Sequence, residues 1–236
     1  MNQHIKREPK EYLNSSTEQN KICAVIPVFN EINYLDELIK RVTPHVSKII
    51  CVDDGSTDGS HELLDAKSEV ELITNSKNFG KGFSLRAGFQ KAIASDCDFV
   101  VTLDADMQHV PELIPEFVAS LQTHDVVVGN RLHTLKGMPL QRIMSNKLTS
   151  WLLSKKMGIK IKDSQSGYRA FQKKVIKEIL PIETGFEAET EMLIKVASNN
   201  FKIGFIDIPT IYNDNESKMK PMAAIFGFIR VLLKKY

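Results

Sequence analysis

The chain has 236 residues, 42% hydrophobic and 25% charged, which suits one substantial globular core with trimmings. A formal net charge of +2, with basic residues scattered except at the C-terminus, gives no footing for nucleic-acid binding. No run reaches the roughly 18–20 apolar residues of a membrane span, and residues 1–20 are polar with no apolar stretch of a secretory signal.

Residues 1–20 are therefore expected to be a flexible N-terminal segment. From Lys21 onward, β-branched apolar runs alternate with helical patterns. Ile22–Ile26, Ile49–Val52, Val70–Thr74, Phe99–Leu103 and Val126–Val128 read as strands, several apolar on both faces as strands covered by helices must be. Leu35, Leu38, Ile39 and Val42 recur at helical spacing, and 83–94 and 113–121 do likewise. This alternation predicts an α/β fold built on a mostly parallel, Rossmann-like central sheet with helices on both faces. Past Arg131 a helix is expected over Leu140–Met157, then a polar loop over 160–168, a helix over 186–198 and a late strand at Ile203–Ile208. This second half is expected to pack on the same sheet and to supply the acceptor side of the site.

At the C-terminus Met222, Ile225, Phe226, Ile229, Leu232 and Leu233 follow helical spacing. Lys218, Lys220, Arg230, Lys234 and Lys235 surround them, with no acid after Glu216. An amphipathic basic helix over 219–236 is expected, suited either to a membrane interface or to docking on the core or a subunit partner. Cys23, Cys51 and Cys97 lie in or beside apolar runs without CxxC spacing, which reads as buried free thiols in a reducing compartment. The expected location is cytoplasmic, or the cytoplasmic face of a membrane.

Polar residues gather where the strands end, the edge at which open α/β sheets bind ligands. The most informative of these groups is Asp104-Ala105-Asp106. A strand delivers the pair at its carboxyl end, and strand alternation turns both carboxylates to the same side, where two bare carboxylates so close repel until one takes up a proton. A divalent cation removes the conflict, and hard oxygen donors suit Mg2+ or Mn2+ on a phosphate ester. An EF-hand is excluded, because His109 and Pro115 occupy the positions that would need Gly and Glu. In Asp53-Asp54-Gly-Ser-Thr-Asp-Gly59 one Asp could accept from a base N–H or ribose hydroxyls, or the segment could be a turn and helix cap. Gly80-Lys81-Gly82 is either a loose phosphate loop or a tight turn opening a helix, since it lacks the order of known phosphate loops. Arg131, after a Gly-Asn turn, could present a planar fork to a diphosphate or be a surface charge. Asp163, Ser166, Gly167 and Arg169 form either a substrate loop or a structural turn. Glu187, Glu189 and Glu191 lie on one helix, with Glu187 and Glu191 sharing a face and Glu189 pointing elsewhere.

Pro27-x-Phe29-Asn-Glu31, Val52-Asp-Asp-Gly-Ser-Thr-Asp-Gly59, Gly80-Lys-Gly82, Asp104-Ala-Asp-Met-Gln-His109, Asp163-x-x-Ser-Gly-Tyr-Arg-Ala170 and Ser217-Lys218 stand in one order. In this the chain resembles family 2 inverting glycosyltransferases of GT-A fold, near the dolichyl- and polyprenyl-phosphate mannosyltransferases, over about Lys21 to Pro221. The resemblance implies a catalytic domain over 21–218 and a donor of the GDP- or UDP-sugar type. It implies that Pro27, Phe29 and Glu31 border the nucleoside, with Val52 and Asp54 at the base and ribose. Asp104, Ala105 and Asp106 would meet the nucleotide sugar, and Asp104, Asp106 and Gln108 would hold Mg2+ or Mn2+. Arg131 and Lys218 would grip the diphosphate or the acceptor phosphate. The sequence departs from the polyprenyl-phosphate enzymes at Tyr212, where they usually carry Arg, and it is expected to do without the membrane helices that often follow their catalytic domain.

The expected activity is metal-dependent, inverting transfer of a hexose to a polyprenyl-phosphate-type acceptor, with Asp106, Arg131 and Glu187 as catalytic residues. A glycan or glycolipid hydroxyl, as in cell-surface polysaccharide synthesis, is the alternative acceptor. It would need a base drawn from Glu187, Glu189 or Glu191. A non-catalytic nucleotide-sugar-binding module is the more distant alternative. A nicotinamide-dependent oxidoreductase is excluded by the absence of a glycine fingerprint after the first strand.

Overall fold

The computed structural model describes residues 21–135, 138–211 and 221–236, with the backbone alone for 221–224. The strands are β1 (Ile22–Val28), β2 (Lys48–Asp53), β3 (Val70–Thr74), β4 (Phe99–Thr102), β5 (Val126–Asn130), β6 (Arg169–Gln172) and β7 (Ile203–Asp207). The helices are α1 (Ile32–Val42), α2 (Ser60–Asp65), α3 (Lys81–Ala94), α4 (Ile114–Ser120), α5 (Leu140–Met157), α6 (Lys173–Ile179), α7 (Ala188–Ser198) and α8 (Pro221–Leu233).

One seven-stranded sheet has the order β3-β2-β1-β4-β6-β5-β7. β6 runs antiparallel to both β4 and β5, and the other pairs are parallel. The alternating βα pattern requires this arrangement: apolar strands must be covered on both faces, and helices are what cover them. Two core clusters accordingly flank the sheet. One joins α1 and α4 to the sheet through Leu35, Leu38, Ile39, Val42 and Phe117; the other joins α3, α6 and α7 through Phe89, Ile176 and Leu193. The α1 stripe that was visible as a periodicity is fully buried, at roughly 1.5–3 kcal/mol for each side chain removed from water.

Every strand and helix expected from the pattern is present, and two elements were not foreseen. β6 and α6 occupy 169–179, a stretch given no element between the polar loop 160–168 and the helix expected over 186–198. One boundary also changes the chemistry. β4 stops at Thr102 rather than Leu103, and the chain turns through Ala105-Asp106 with Met107 at φ 60°. Asp104 and Asp106 are thus presented by a turn, and strand alternation is not what aligns them.

The three cysteines are buried and form no disulfide. α8 packs on α7, and its Val231 is fully enclosed in the core cluster beneath α3, α6 and α7. Arg230 pairs with Glu183 and Glu187, and Lys234, just beyond the helix, with Glu183. No described helix is long and apolar enough to cross a membrane.

Candidate active site

The carboxyl ends of β1, β2, β4 and β5 share one rim of the sheet. Because β6 is reversed, its entering loop (163–168) arrives at that same rim, where Arg169 stands opposite both Thr102 and Val128. Thr102 ties the loop down by donating to the Gly167 carbonyl at 2.8 Å.

Lys81, the first residue of α3, sits at the centre. Its ammonium lies 2.6 Å from Asp104 and 2.8 Å from Glu189 of α7. Burial works against that charge, but the two carboxylates outweigh it and hold the ammonium above its ordinary range. Burial would likewise raise Asp104, yet Lys81 above all brings it down to about 2. For Asp106 the Gln108 N–H and the more distant Lys81 charge are outweighed. Burial, and then the charge on Asp104, push it up to about 6. Glu31, at the end of the first strand's loop, adds to the same repulsion.

The turn carrying the pair is fixed from behind. His109 accepts the Asp104 N–H on Nδ1 at 3.0 Å, and its ring stacks on Tyr168, which stacks on Phe117. Burial takes the imidazole down to about 4, so it is neutral, as an acceptor there must be. The Gln108 N–H donates to Asp106 at 3.0 Å. Gly167 faces the cluster: a Cβ there would lie 2.6 and 2.8 Å from the Asp104 carboxylate oxygens and 2.9 Å from the Lys81 ammonium. Only a residue without a side chain leaves that pair its room.

On the far side, Arg131 follows β5 and lays its fork on Asp163, Nε at 2.9 Å and Nη2 at 3.1 Å. Asp163 is fully buried and also accepts from the Arg131 and Gln165 backbone and from Asn146. Burial opposes its ionisation, and Arg131 more than compensates, so it stays below the usual carboxylate value. Arg169 is buried and donates to three carbonyls, those of Ser164, Ser166 and Glu189, stitching the loop to α7.

The residues expected at the nucleoside divide into two groups. Pro27, Phe29 and Glu31 are partly accessible at the end of β1, where the loop 29–32 is laced to 56–60 by Ser56, Thr57, Asp58 and Ser60. Val52 and Ala105, by contrast, have their side chains in the core. Asp54 is buried, and its carboxylate accepts from Asn75 at 2.7 Å, Gly80 at 2.7 Å and Phe79 at 3.1 Å. It therefore holds the loop that starts α3, where Gly80 adopts φ 103°, and 80–82 is the turn that opens that helix. Of the three glutamates, Glu189 reaches the Lys81–Asp104 cluster. Glu191 accepts the Ile182 and Glu183 N–H groups, and Glu187 pairs with Arg230. Glu187, expected among the catalytic residues, has its carboxylate turned to α8. Lys81 and His109 were not singled out in the sequence. Lys218 and Tyr212 lie outside the described residues.

Comparison with known proteins gives the class first. Glucosyl-3-phosphoglycerate synthase from Mycobacterium tuberculosis, in complex with Mn2+, uridine diphosphate and phosphoglyceric acid, superposes with a TM-score of 0.72. At 21% identity it covers 91% of this chain and 78% of its own, so the fold is that of the GT-A glycosyltransferases. The model of glycosyl transferase family 2 matches residues 23–180, and the chain belongs to that family. Undecaprenyl-phosphate 4-deoxy-4-formamido-L-arabinose transferase of Proteus mirabilis is 30% identical over 208 residues, 84% of this chain. The chain spans 61% of that relative's length. UDP-N-acetylglucosamine–dolichyl-phosphate N-acetylglucosaminyltransferase of Methanococcus voltae is 31% identical, covering 82% of this chain and 86% of its own.

Proposed function

We propose that the protein transfers a hexose from a nucleoside diphosphate sugar to a polyprenyl phosphate, with inversion at the anomeric carbon and with Mg2+ or Mn2+ bound. The observation that carries this reading is the Asp104/Asp106 pair at the β4 rim, with Asp106 pushed up to about 6. Among the described residues no three carboxylate, imidazole or thiol side chains converge into a cage for a cation. The donor set is instead a pair of carboxylates whose mutual repulsion a cation would relieve. That fits Mg2+ or Mn2+, which commonly take one or two carboxylates and complete their shell with substrate phosphates and water. Asp104 and Asp106 would hold the ion, with Gln108 beside them, and when bound it supplies neutralisation of charge on the diphosphate.

The chain's own residues set the rest. Lys81 fixes Asp104 and adds positive charge where the diphosphate would sit. Pro27, Phe29 and Glu31 border the nucleoside. Arg131 and Lys218 are assigned to the phosphates, and Arg131 would exchange part of its fork on Asp163 for them. An oxygen of the acceptor phosphate attacks the anomeric carbon as its bond to the diphosphate breaks, and the electron pair leaves with the nucleoside diphosphate. A phosphate acceptor is already anionic and needs no base. The two lipid-phosphate transferases above support that acceptor. A hydroxyl acceptor remains the second reading, favoured by one observation: Glu189 brings a carboxylate into the cluster. The same assignment places the protein at the cytoplasmic face of a membrane, with α8 as one candidate contact.

The test is a transfer assay with GDP-, UDP- and dTDP-sugars, Mn2+, and either a polyprenyl phosphate or a glycan. Product on the lipid, lost in Asp106→Ala, is expected. Full turnover in that variant would overturn the site, and transfer to the glycan alone would overturn the acceptor.

A further inference from the structure

Helix α5 is built inside out. A surface helix normally turns its apolar stripe to the core and its polar residues to water. Here the inward face is polar. Asn146 donates to Asp163 at 2.7 Å, Ser150 donates to Ser164 at 3.1 Å and accepts the Ser164 N–H at 2.9 Å, and Thr149 meets the Ser164 hydroxyl at 2.9 Å. Asn146 and Ser150 are buried, and Leu153 is the one apolar side chain of α5 that is fully buried with them. The outward face carries Leu140, Met144, Leu148 and Trp151, exposed by 70, 64, 57 and 58%. Their spacing of four, four and three residues stacks them in one line, about 16 Å long at 1.5 Å per residue.

Charge says what covers this line. From Val126 to Lys162 there is no acidic residue, against eight lysines and arginines. On α5 itself Lys147 and Lys155 are exposed, and the Lys155 ammonium lies 5.7 Å from the Trp151 ring centre. Two copies of the chain meeting through this face would set lysines against lysines with no acid to answer them. Apolar side chains in line, a tryptophan among them and cations alongside are what the boundary of a bilayer with anionic head groups accepts.

We infer that the outward face of α5 is a docking surface for an anionic lipid bilayer. The helix lies along the head groups and inserts Leu140, Met144, Leu148 and Trp151. Its inward face is bonded to the 163–166 loop, so docking brings the Arg131–Asp163 pair to about one helix diameter, roughly 10 Å, from the lipid. α8 is a different surface, because its Arg230 and Lys234 are engaged by Glu183 and Glu187. The inference goes beyond the proposed acceptor and does not depend on it. Binding is read without catalysis, so a failed transfer assay and a failed docking assay are separate results.

Trp151 is the only tryptophan in the chain, which makes the unmodified protein its own probe. With vesicles of phosphatidylcholine and phosphatidylglycerol, its emission is expected to shift to the blue and to be quenched by brominated acyl chains. Neutral vesicles should bind more weakly. Lys147→Gln/Lys155→Gln should lower partitioning by about 25-fold, near fivefold for each cation. Met144→Glu/Leu148→Glu retains the tryptophan and should lower partitioning at least about tenfold with an unchanged melting temperature. Three outcomes overturn the proposal: no vesicle binding, vesicle binding in which Trp151 is not quenched, or self-association of the free protein that removes Trp151 from solvent.

Discussion

Asp106→Asn should make the metal-free protein more stable while removing its activity. Asp106 rises from 3.8 to about 6 on folding, through burial and then the charge on Asp104. At 1.36 kcal/mol per tenfold change in proton affinity, that displacement corresponds to about 3 kcal/mol. The sign follows from linkage. A carboxyl raised on folding favours the folded state below its unfolded value of 3.8, and that advantage is lost as pH rises through about 6. Near pH 8 in chelator, the ionised side chain therefore costs the fold about 3 kcal/mol, and a neutral amide of similar shape avoids it. For a chain of this size the variant should melt about 6–12 °C above the parent near pH 8 and level with it near pH 4. Urea unfolding followed by circular dichroism at several pH values reads the difference directly. Mn2+ should then stabilise the parent and leave the variant unmoved. An equal melting temperature across that pH range, or a gap as large near pH 4 as near pH 8, would refute the account of a repelling carboxylate pair.

Removing the Asp163 carboxylate should act in the opposite direction. Asp163→Ala strands a largely buried guanidinium and Asn146, and should cost about 3–5 kcal/mol in chemical unfolding. Because Asp163 is lowered on folding, its contribution is present above 3.8 and fades as pH falls below that, a dependence that should vanish in the variant. Lys81→Met leaves Asp104 and Glu189 facing each other without their shared cation; it should destabilise by about 3 kcal/mol and abolish donor binding by calorimetry. Gly167→Ala should cost about 1–3 kcal/mol and depress turnover together with donor affinity, since its methyl would displace Asp104 or Lys81. Unaltered kinetics in that variant would show that the pair has room to spare.

The strands that the sequence revealed are those with unbroken β-branched runs, such as Val126–Val128 and Ile49–Val52, because double-sided burial leaves that mark. β6 leaves none. Its four residues are Arg, Ala, Phe and Gln, and a fully buried arginine reads as a surface residue until the three carbonyls it meets are seen. The site was legible as a set of strand ends and illegible as a set of pairs. Asp54 and Arg131 were located at the rim, but their partners Asn75 and Asp163 are 21 and 32 residues away. Helical spacing correctly separated Glu189 from Glu187 and Glu191; it could not say which face meets the cleft. That choice is made by Lys81, 108 residues earlier (189 minus 81), through a contact that only the packed α3 and α7 create.

The reversal of β6 has a consequence for how specificity could be altered. In a wholly parallel sheet, chain leaves the working rim at every strand and returns at the opposite side. Here one segment enters at the rim, from a direction independent of the loops that follow β1, β2 and β4. Residues 164–166 bond to α5 through Thr149 and Ser150, while 167–168 are held on β4 by the Thr102 hydroxyl, on β5 by the Gly129 N–H and at the Val110 carbonyl by the Tyr168 hydroxyl. Under the proposed function, changes at 164–166 would reshape one wall of the cleft while the turn carrying Asp104 and Asp106 and the loops after β1 and β2 keep their register, so acceptor choice and donor choice would be free to diverge separately.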